Sequence, residues 1–189
     1  MSPVHLCNPA LEKPDPANIA FRPLETADLP LVERWIARPH VLRWWAASAQ
    51  STEEIAAKYG ARISGQEPTR AYIILYGAIP IGYIQSYLLK DYPEYEKALG
   101  VEENGAGIDL FIGEPEYAYR GLGAPLIRQF LREIVFPQTG AISCILGPSV
   151  LNTSAIRAYE RAGFQYLRTV QVPGEPHAEY VMRITRDDL

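Results

Sequence analysis

The residues best suited to chemistry are a pair of glycines at the predicted start of a helix. A strand pattern over Gly107 to Ile112 leads into Arg120-Gly121-Leu122-Gly123, and the apolar spacing that follows predicts a helix ending before Pro137. A helix N-terminus offers free amides and partial positive charge, so this loop fits a bound phosphate. Such glycines more often serve only a tight turn, and this alternative stays open.

A second motif follows after one more apolar strand. Asn152 is predicted to cap a short helix that carries Tyr159 and ends at Gly163. Asp109 stands alone within an apolar strand, where burying its charge is costly without a cationic partner, so we expect it to be functional. Taken alone, Asp109 also fits an ordinary strand-end carboxylate, and Tyr159 fits a core aromatic residue.

Together the glycine loop and the Asn152 to Phe164 helix closely resemble the acetyl-coenzyme A site of the GNAT acetyltransferases. Within that superfamily, several segments resemble the aminoglycoside 6′-N-acetyltransferases and occur in the same order. These are Trp44-Trp45, Ile81 to Tyr87, Gly107 to Asp109, and Ala155 to Phe164. The resemblance extends from about Ile19 to Thr185.

The resemblance implies two catalytic residues. Acetyl transfer to an amine requires loss of an ammonium proton, a polarised carbonyl and a proton for the departing thiolate. It implies that Asp109 attracts or deprotonates the amine and that Tyr159 protonates the sulfur of the coenzyme.

The resemblance also implies acetyl-coenzyme A as co-substrate, with its thioester held by backbone amides of the central strand and its pyrophosphate held by the glycine loop. The implied coenzyme-binding residues are Leu110, Phe111, Ile112, Tyr119, Arg120, Gly121, Leu122, Gly123, Ala124 and Asn152. The family often has Arg or Gln where this chain has Ala118, so Arg120 or the backbone amides must carry more of the phosphate contact.

For the acceptor, the resemblance implies a cationic, sugar-like molecule bound by Trp44, Trp45, Gln85, Asp109 and Glu175. Two adjacent tryptophans of one regular strand cannot both face inward, so we expect one of them to form a wall for a sugar ring. Several related enzymes have an acid at the position of Gly147, and that acid helps to bind the amines of the substrate. Its absence here affects which substrates are expected to bind.

Charge is unevenly distributed along the chain. The net charge is −4, but Asp91 to Glu116 holds eight acids and one base, a local charge of 1 − 8 = −7. One interpretation is a solvated acidic loop, which is the common one for such runs. The other is an acidic funnel that concentrates a polycationic acceptor.

Hydrophobic periodicity predicts the order β-α-α-β-β-β-α-β-α-β-β and therefore an α/β fold with a mixed central sheet and helices on both faces. Residues 1–18 are interpreted as a loose leader and residues 19–189 as a single domain. The second predicted helix begins with the capping box Ser51 to Glu54.

Composition disfavours several other classes. The acidic balance argues against nucleic-acid binding, the longest apolar run is too short for a membrane span, and the three histidines lack metal-ligand spacing. We expect a cytoplasmic monomer or weak homodimer without a metal. Two alternatives remain: a GNAT enzyme acylating a hydroxylated lysine in siderophore synthesis, and a non-catalytic coenzyme A-binding regulator.

Overall fold

The computed structural model describes residues 14–45 and 51–189, whose strands form one mixed sheet. The strands are β1 Ile19–Pro23, β2 Arg70–Tyr76, β3 Ile79–Leu88, β4 Gly105–Ile112, β5 Ser143–Leu146, β6 Gln165–Val170 and β7 Glu179–Thr185. Their order is β1-β2-β3-β4-β5-β7-β6, and β4 and β5 are the parallel pair in an otherwise antiparallel sheet. The predicted mixed sheet is confirmed.

The helices lie on both faces of the sheet, as predicted. They are α1 Leu29–Ile36, α2 Pro39–Leu42, α3 Thr52–Ile63, α4 Pro93–Leu99, α5 Gly123–Phe130, α6 Phe136–Thr139 and α7 Thr153–Ala162, with a π-helical turn at Leu131–Val135 between α5 and α6. Ser51 and Glu54 form the expected capping box on α3. Helix α4 was missed, and α2 begins at Pro39 where only the end of α1 was expected.

The apolar side chains packed on one face of the sheet form two separate clusters. Residues of α1 and α3 pack with Tyr83 and Phe111, whereas Leu99 of α4 packs with Ile145 and Val181. The opposite face is covered by α5 and α7. Polar side chains of the central strands lie between the two clusters, which leaves room there for a site.

Strands β4 and β5 diverge soon after they meet. Their ladder pairs only Gly105 with Ser143 and Ala106 with Cys144, although β4 continues to Ile112. The gap opens a cleft at the centre of the sheet and leaves β4 backbone groups facing it without a neighbouring strand. Within 14–45 and 51–189, no helix is both long and apolar enough to cross a bilayer.

Residues just before β1 already contact the domain. The Asp15 amide and the Asn18 side chain both donate hydrogen bonds to the Tyr76 hydroxyl, at 2.9 and 3.3 Å. Residues 1–13 of the proposed leader lie outside the described residues, and the division at residue 18 stays a prediction.

Candidate active site

The cleft between the diverging strands has a volume of about 1250 Å³. It is lined by β4, the glycine loop, α5, α7, the turn after α2, one side of α3 and the segment before β7. Pockets for one small molecule usually enclose about 300–1,000 Å³. The volume is therefore enough for a coenzyme and a second substrate side by side.

The glycine loop forms a cradle of amides at one end of the cleft. The backbone has positive φ at Tyr119 (59°) and Gly121 (84°), which turns the chain sharply before α5. Leu122 is 1% exposed and anchors the loop in the core. Within the described structure, the amides of Tyr119, Gly121, Leu122, Gly123 and Ala124 donate to no protein acceptor. Such a cluster at a helix N-terminus suits an anionic group.

Close packing of α5 against α7 fixes this end of the cleft. A Cβ on Gly123 would lie 3.3 Å from the Ala158 Cβ, so a larger side chain would separate the helices. Arg128 Nη1 also donates to the Ala162 carbonyl at the end of α7, at 2.8 Å. The Asn152 side chain accepts from the Ala155 amide and so caps α7 as predicted.

Almost all of the predicted coenzyme-binding residues line the cleft, on the central strand, the glycine loop and the α7 cap. The exception is Arg120. Arg157 and Arg161 of α7 line it instead, and sequence reasoning missed them. Their spacing of four residues, which places both on one helix face, was a usable signal.

Asp109 is held in the middle of the cleft by its cross-strand partner. Gln85 of β3 lies directly opposite Asp109 of β4, and its Nε2 donates to Asp109 Oδ2 at 2.7 Å. Burial raises the pKa of the Asp109 carboxyl, while the Gln85 hydrogen bond and the charges of Arg62 and Lys58 act in the opposite direction. A carboxylate with a raised pKa in a cleft is a candidate general base.

A hydrogen-bond relay from α3 orients Gln85. Its Oε1 accepts from Arg62 Nη1 at 2.6 Å and from the Tyr83 hydroxyl at 2.8 Å, which leaves its amide nitrogen pointing at Asp109. The Arg62 Nε in turn donates to Glu67 at 2.7 Å. Sequence reasoning named Gln85 but missed Arg62, whose partners on β3, Tyr83 and Gln85, are more than twenty residues away in the chain.

Tyr159 lies on α7, 8% exposed, with its ring against Phe164 at 5.5 Å between centroids. Its side chain lines the cleft. Burial and the nearby Asp109 charge raise its pKa, so the phenol is protonated at neutral pH. It can therefore donate a proton to a group that enters the cleft.

The two tryptophans lie in a turn after α2 and not in a strand. Trp45 packs edge-on against Phe111 and donates Nε1 to the Tyr59 hydroxyl at 3.0 Å. Trp44 carries the Arg43 guanidinium 4.7 Å above its ring. Both line the cleft, and Trp45 is the one tied to the core.

The acid-rich segment does not form an acidic funnel, which was one of its two interpretations. All eight of its acids are described, yet Asp109 alone among them lines the cleft. Glu114 pairs with Arg38 at 2.9 Å and Glu103 pairs with Arg183 at 2.7 Å, both outside the cleft.

The other acids of the cleft lie just before β7 and at its first residue. They are Glu175, which was predicted, and Glu179, which was missed. The cations Lys58 and Arg62 also line the cleft, so its wall is of mixed charge. Within the described ranges, no three His, Cys, Asp or Glu side chains are arranged to hold a metal ion.

Comparison with known proteins identifies the family to which this site belongs. The acetyltransferase (GNAT) domain matches residues 25–172. The chain therefore belongs to the GNAT acetyltransferase family, and the resemblance seen in its sequence is confirmed.

Its relatives point to one branch of this family. An aminoglycoside N(6′)-acetyltransferase type 1 from Klebsiella pneumoniae is 30% identical over 165 residues, which are 84% of this chain and 80% of that protein. A solved structure of AAC(6′)-Ib with paromomycin and acetyl-CoA has a TM-score of 0.77 at 28% identity, covering 90% of this chain and 95% of that one. Another, of the same enzyme with coenzyme A and kanamycin, has a TM-score of 0.75 at 29% identity, covering 90% and 96%.

Proposed function

We propose that this protein transfers an acetyl group from acetyl-coenzyme A to the 6′-amine of aminoglycosides. The observation that carries the proposal is that one cleft brings together an amide cradle, a protonated Tyr159 and the carboxylate of Asp109. The names and bound compounds of the relatives described above support the same substrates.

The amide cradle fits the coenzyme. The amides of Tyr119, Gly121, Leu122, Gly123 and Ala124 offer hydrogen bonds to a pyrophosphate, and Arg157 and Arg161 add positive charge on the adjacent helix. Backbone groups of β4 beyond Ala106 face the gap and can hold an amide-containing arm as an added strand would. Acetyl-coenzyme A supplies an acetyl thioester at the end of that arm.

Asp109 prepares the acceptor amine. Its carboxylate attracts an ammonium into the cleft and can accept the proton that the nitrogen must lose before it attacks a carbonyl. Gln85 holds the carboxylate in place, and Arg62 holds Gln85. Burial raises the pKa of Asp109 and so makes it a stronger base than a solvated aspartate.

Tyr159 completes the transfer by giving its phenolic proton to the departing sulfur. Its side chain lines the cleft that the thioester would enter. Trp44 lines the cleft and offers a flat surface for a sugar ring.

The remaining features belong to the same proposal. Use of acetyl-coenzyme A, together with the free and buried Cys144, supports a cytoplasmic enzyme. We infer a monomer or weak homodimer, with drug resistance as the consequence of acetylation.

A matched pair of acceptors tests the proposal. Neomycin and paromomycin differ only in bearing an amine or a hydroxyl at the 6′ carbon, and an oxygen there is a far poorer nucleophile toward a thioester. Thiol release from acetyl-coenzyme A should be fast with neomycin, kanamycin and tobramycin and absent with paromomycin. Turnover with a hydroxylated lysine and with no aminoglycoside would instead support the siderophore alternative. Equal turnover of neomycin and paromomycin would move acetylation to another position.

A further inference from the structure

Glu179 occupies the space in which a side chain at position 147 would lie. A Cβ built on Gly147 would overlap Glu179 Oε2 and lie 2.9 Å from its carboxyl carbon. Gly147 is the position at which several of the enzymes that this chain resembles have an acid. The space is therefore not empty, because an acid from another strand fills it.

The ladder places this carboxylate on the same sheet face as Asp109. Glu179 bridges to Ser149, so its side chain shares a face with the alternate residues Gly147 and Ile145 of the adjoining segment. Asp109 of β4 lies on that face as well, because Gly105 pairs with Ser143 and side chains alternate along each strand. Glu179 and Asp109 both line the cleft.

Glu179 is 8% exposed but has no cation of its own. One carboxylate oxygen accepts from the Tyr95 hydroxyl of α4 at 3.0 Å. No Lys or Arg of the described chain lies within ion-pair distance, and its charged neighbours are Glu175 and Asp109. Burial of this carboxyl, with like charges close by, raises its pKa to about 7. A buried acid kept beside a cleft without a counter-charge is suited to a cation that comes from outside.

We infer that Glu179 binds a second ammonium group of the acceptor, beside the amine held by Asp109, and so sets which polyamines are accepted. This inference rests on the proposed function and adds a residue to it. Tyr95 holds one oxygen of the carboxylate and leaves the other for the ligand.

Steady-state kinetics of Glu179→Gln test the inference. At pH 8, where the carboxyl is largely ionised, the change keeps the shape of the side chain and removes its charge. A hydrogen bond to a charged group corresponds to about a ten- to hundredfold change in affinity. The KM for kanamycin should rise by that factor, with the KM for acetyl-coenzyme A unchanged. The matched control is Glu94→Gln on exposed α4, which makes the same net-charge change and should leave both constants as they are.

A second experiment moves the carboxylate from position 179 to position 147. In Gly147→Asp alone, the new side chain overlaps Glu179, so we expect loss of acceptor binding. In the double variant Gly147→Asp with Glu179→Ala, the acid returns to the same space from the other strand, and acceptor KM should recover to within about tenfold of wild type. Melting temperatures show whether each variant is folded.

The outcomes separate the two claims. A wild-type enzyme that acetylates no aminoglycoside overturns the proposed function, and this inference with it. An active wild type with an unchanged acceptor KM in Glu179→Gln overturns the role of Glu179 alone. The same conclusion follows if the KM values for coenzyme and acceptor rise together, or if a folded double variant binds the acceptor no better than Gly147→Asp.

Discussion

Replacing Glu179 by glutamine should stabilise the free protein at pH 8 and have much less effect at pH 5. A carboxyl that is buried without a counter-cation resists ionisation, and burial raises the pKa of Glu179 from its ordinary value of 4.5 to about 7. The unfolded chain has no such environment. Folding stability must therefore depend on pH through this group.

The sign and size follow from the two pKa values. Below pH 4.5 the carboxyl is protonated in both states and makes no difference. Between pH 4.5 and 7 the unfolded chain loses the proton while the folded protein keeps it, so stability falls as pH rises, and above pH 7 the loss is complete. A shift from 4.5 to about 7 corresponds to about 3 kcal/mol in total, of which roughly 2.5 kcal/mol develops between pH 5 and pH 8.

Urea unfolding at pH values from 5 to 8 measures this effect. The free energy of unfolding of Glu179→Gln minus that of the wild type should grow by roughly 2.5 kcal/mol over the range, at similar m-values. Asp28→Asn is a control of opposite sign. The Arg22 hydrogen bonds hold the pKa of Asp28 below its usual range, so its stabilisation is fully present above its ordinary pKa. Asp28→Asn should destabilise the protein by a constant amount from pH 5 to 8.

A difference between Glu179→Gln and wild type that stays constant across this range would refute the argument. It would mean that Glu179 is solvated or paired in the folded protein. A difference that shrinks as pH rises would mean that a cation stabilises the carboxylate, contrary to the contacts observed.

Three further predictions concern catalysis and binding. Tyr159→Phe should lower kcat about 10²- to 10⁴-fold in a thiol-release assay with little change in melting temperature, because it removes the proposed general acid and keeps the ring against Phe164. Unchanged kcat would assign the proton to another donor. Arg62→Met removes a positive charge that lowers the pKa of Asp109, so the acid limb of the pH–rate profile should move to higher pH. An unmoved acid limb would mean that Arg62 does not influence the pKa of the catalytic base. Gly123→Leu should raise the KM for acetyl-coenzyme A by at least about tenfold and leave the KM for the acceptor unchanged, because the new side chain pushes α5 away from Ala158. Equal increases in both KM values would indicate general unfolding.

The proposed site would let a mildly acidic protein bind a polycation without the acid-rich segment lining the cleft. Most acids of the Asp91 to Glu116 segment lie outside the cleft, and those that have ion-pair partners hold the scaffold together. The acids that can meet an acceptor are Asp109, Glu175 and Glu179, on separate elements. Recognition therefore depends on where a few carboxylates lie more than on total charge.

The sequence by itself determined the features that depend on neighbours a few residues apart. The capping box at Ser51 and the Asn152 cap are bonds between residues three apart, and the turn before α5 depends on the backbone freedom of Gly121. Helix α4 also had readable signals, since Pro93 is its first residue and Gly100 ends it in the left-handed conformation. These features can be predicted because their physical causes are local.

Only the tertiary structure decided which distant residues share the cleft. Arg62 meets Gln85 across 23 positions of the chain, and Tyr95 meets Glu179 across 84. The overlap between Glu179 and the space beside Gly147 depends on strand register and on the divergence of β4 from β5, which no short segment encodes. The charge run along the chain was compatible with a solvated loop and with a funnel, and the tertiary structure places only Asp109 of its acids in the cleft. The physical reason is that a binding site depends on the distances between its side chains, and strand pairing fixes those distances for residues that lie far apart in the sequence.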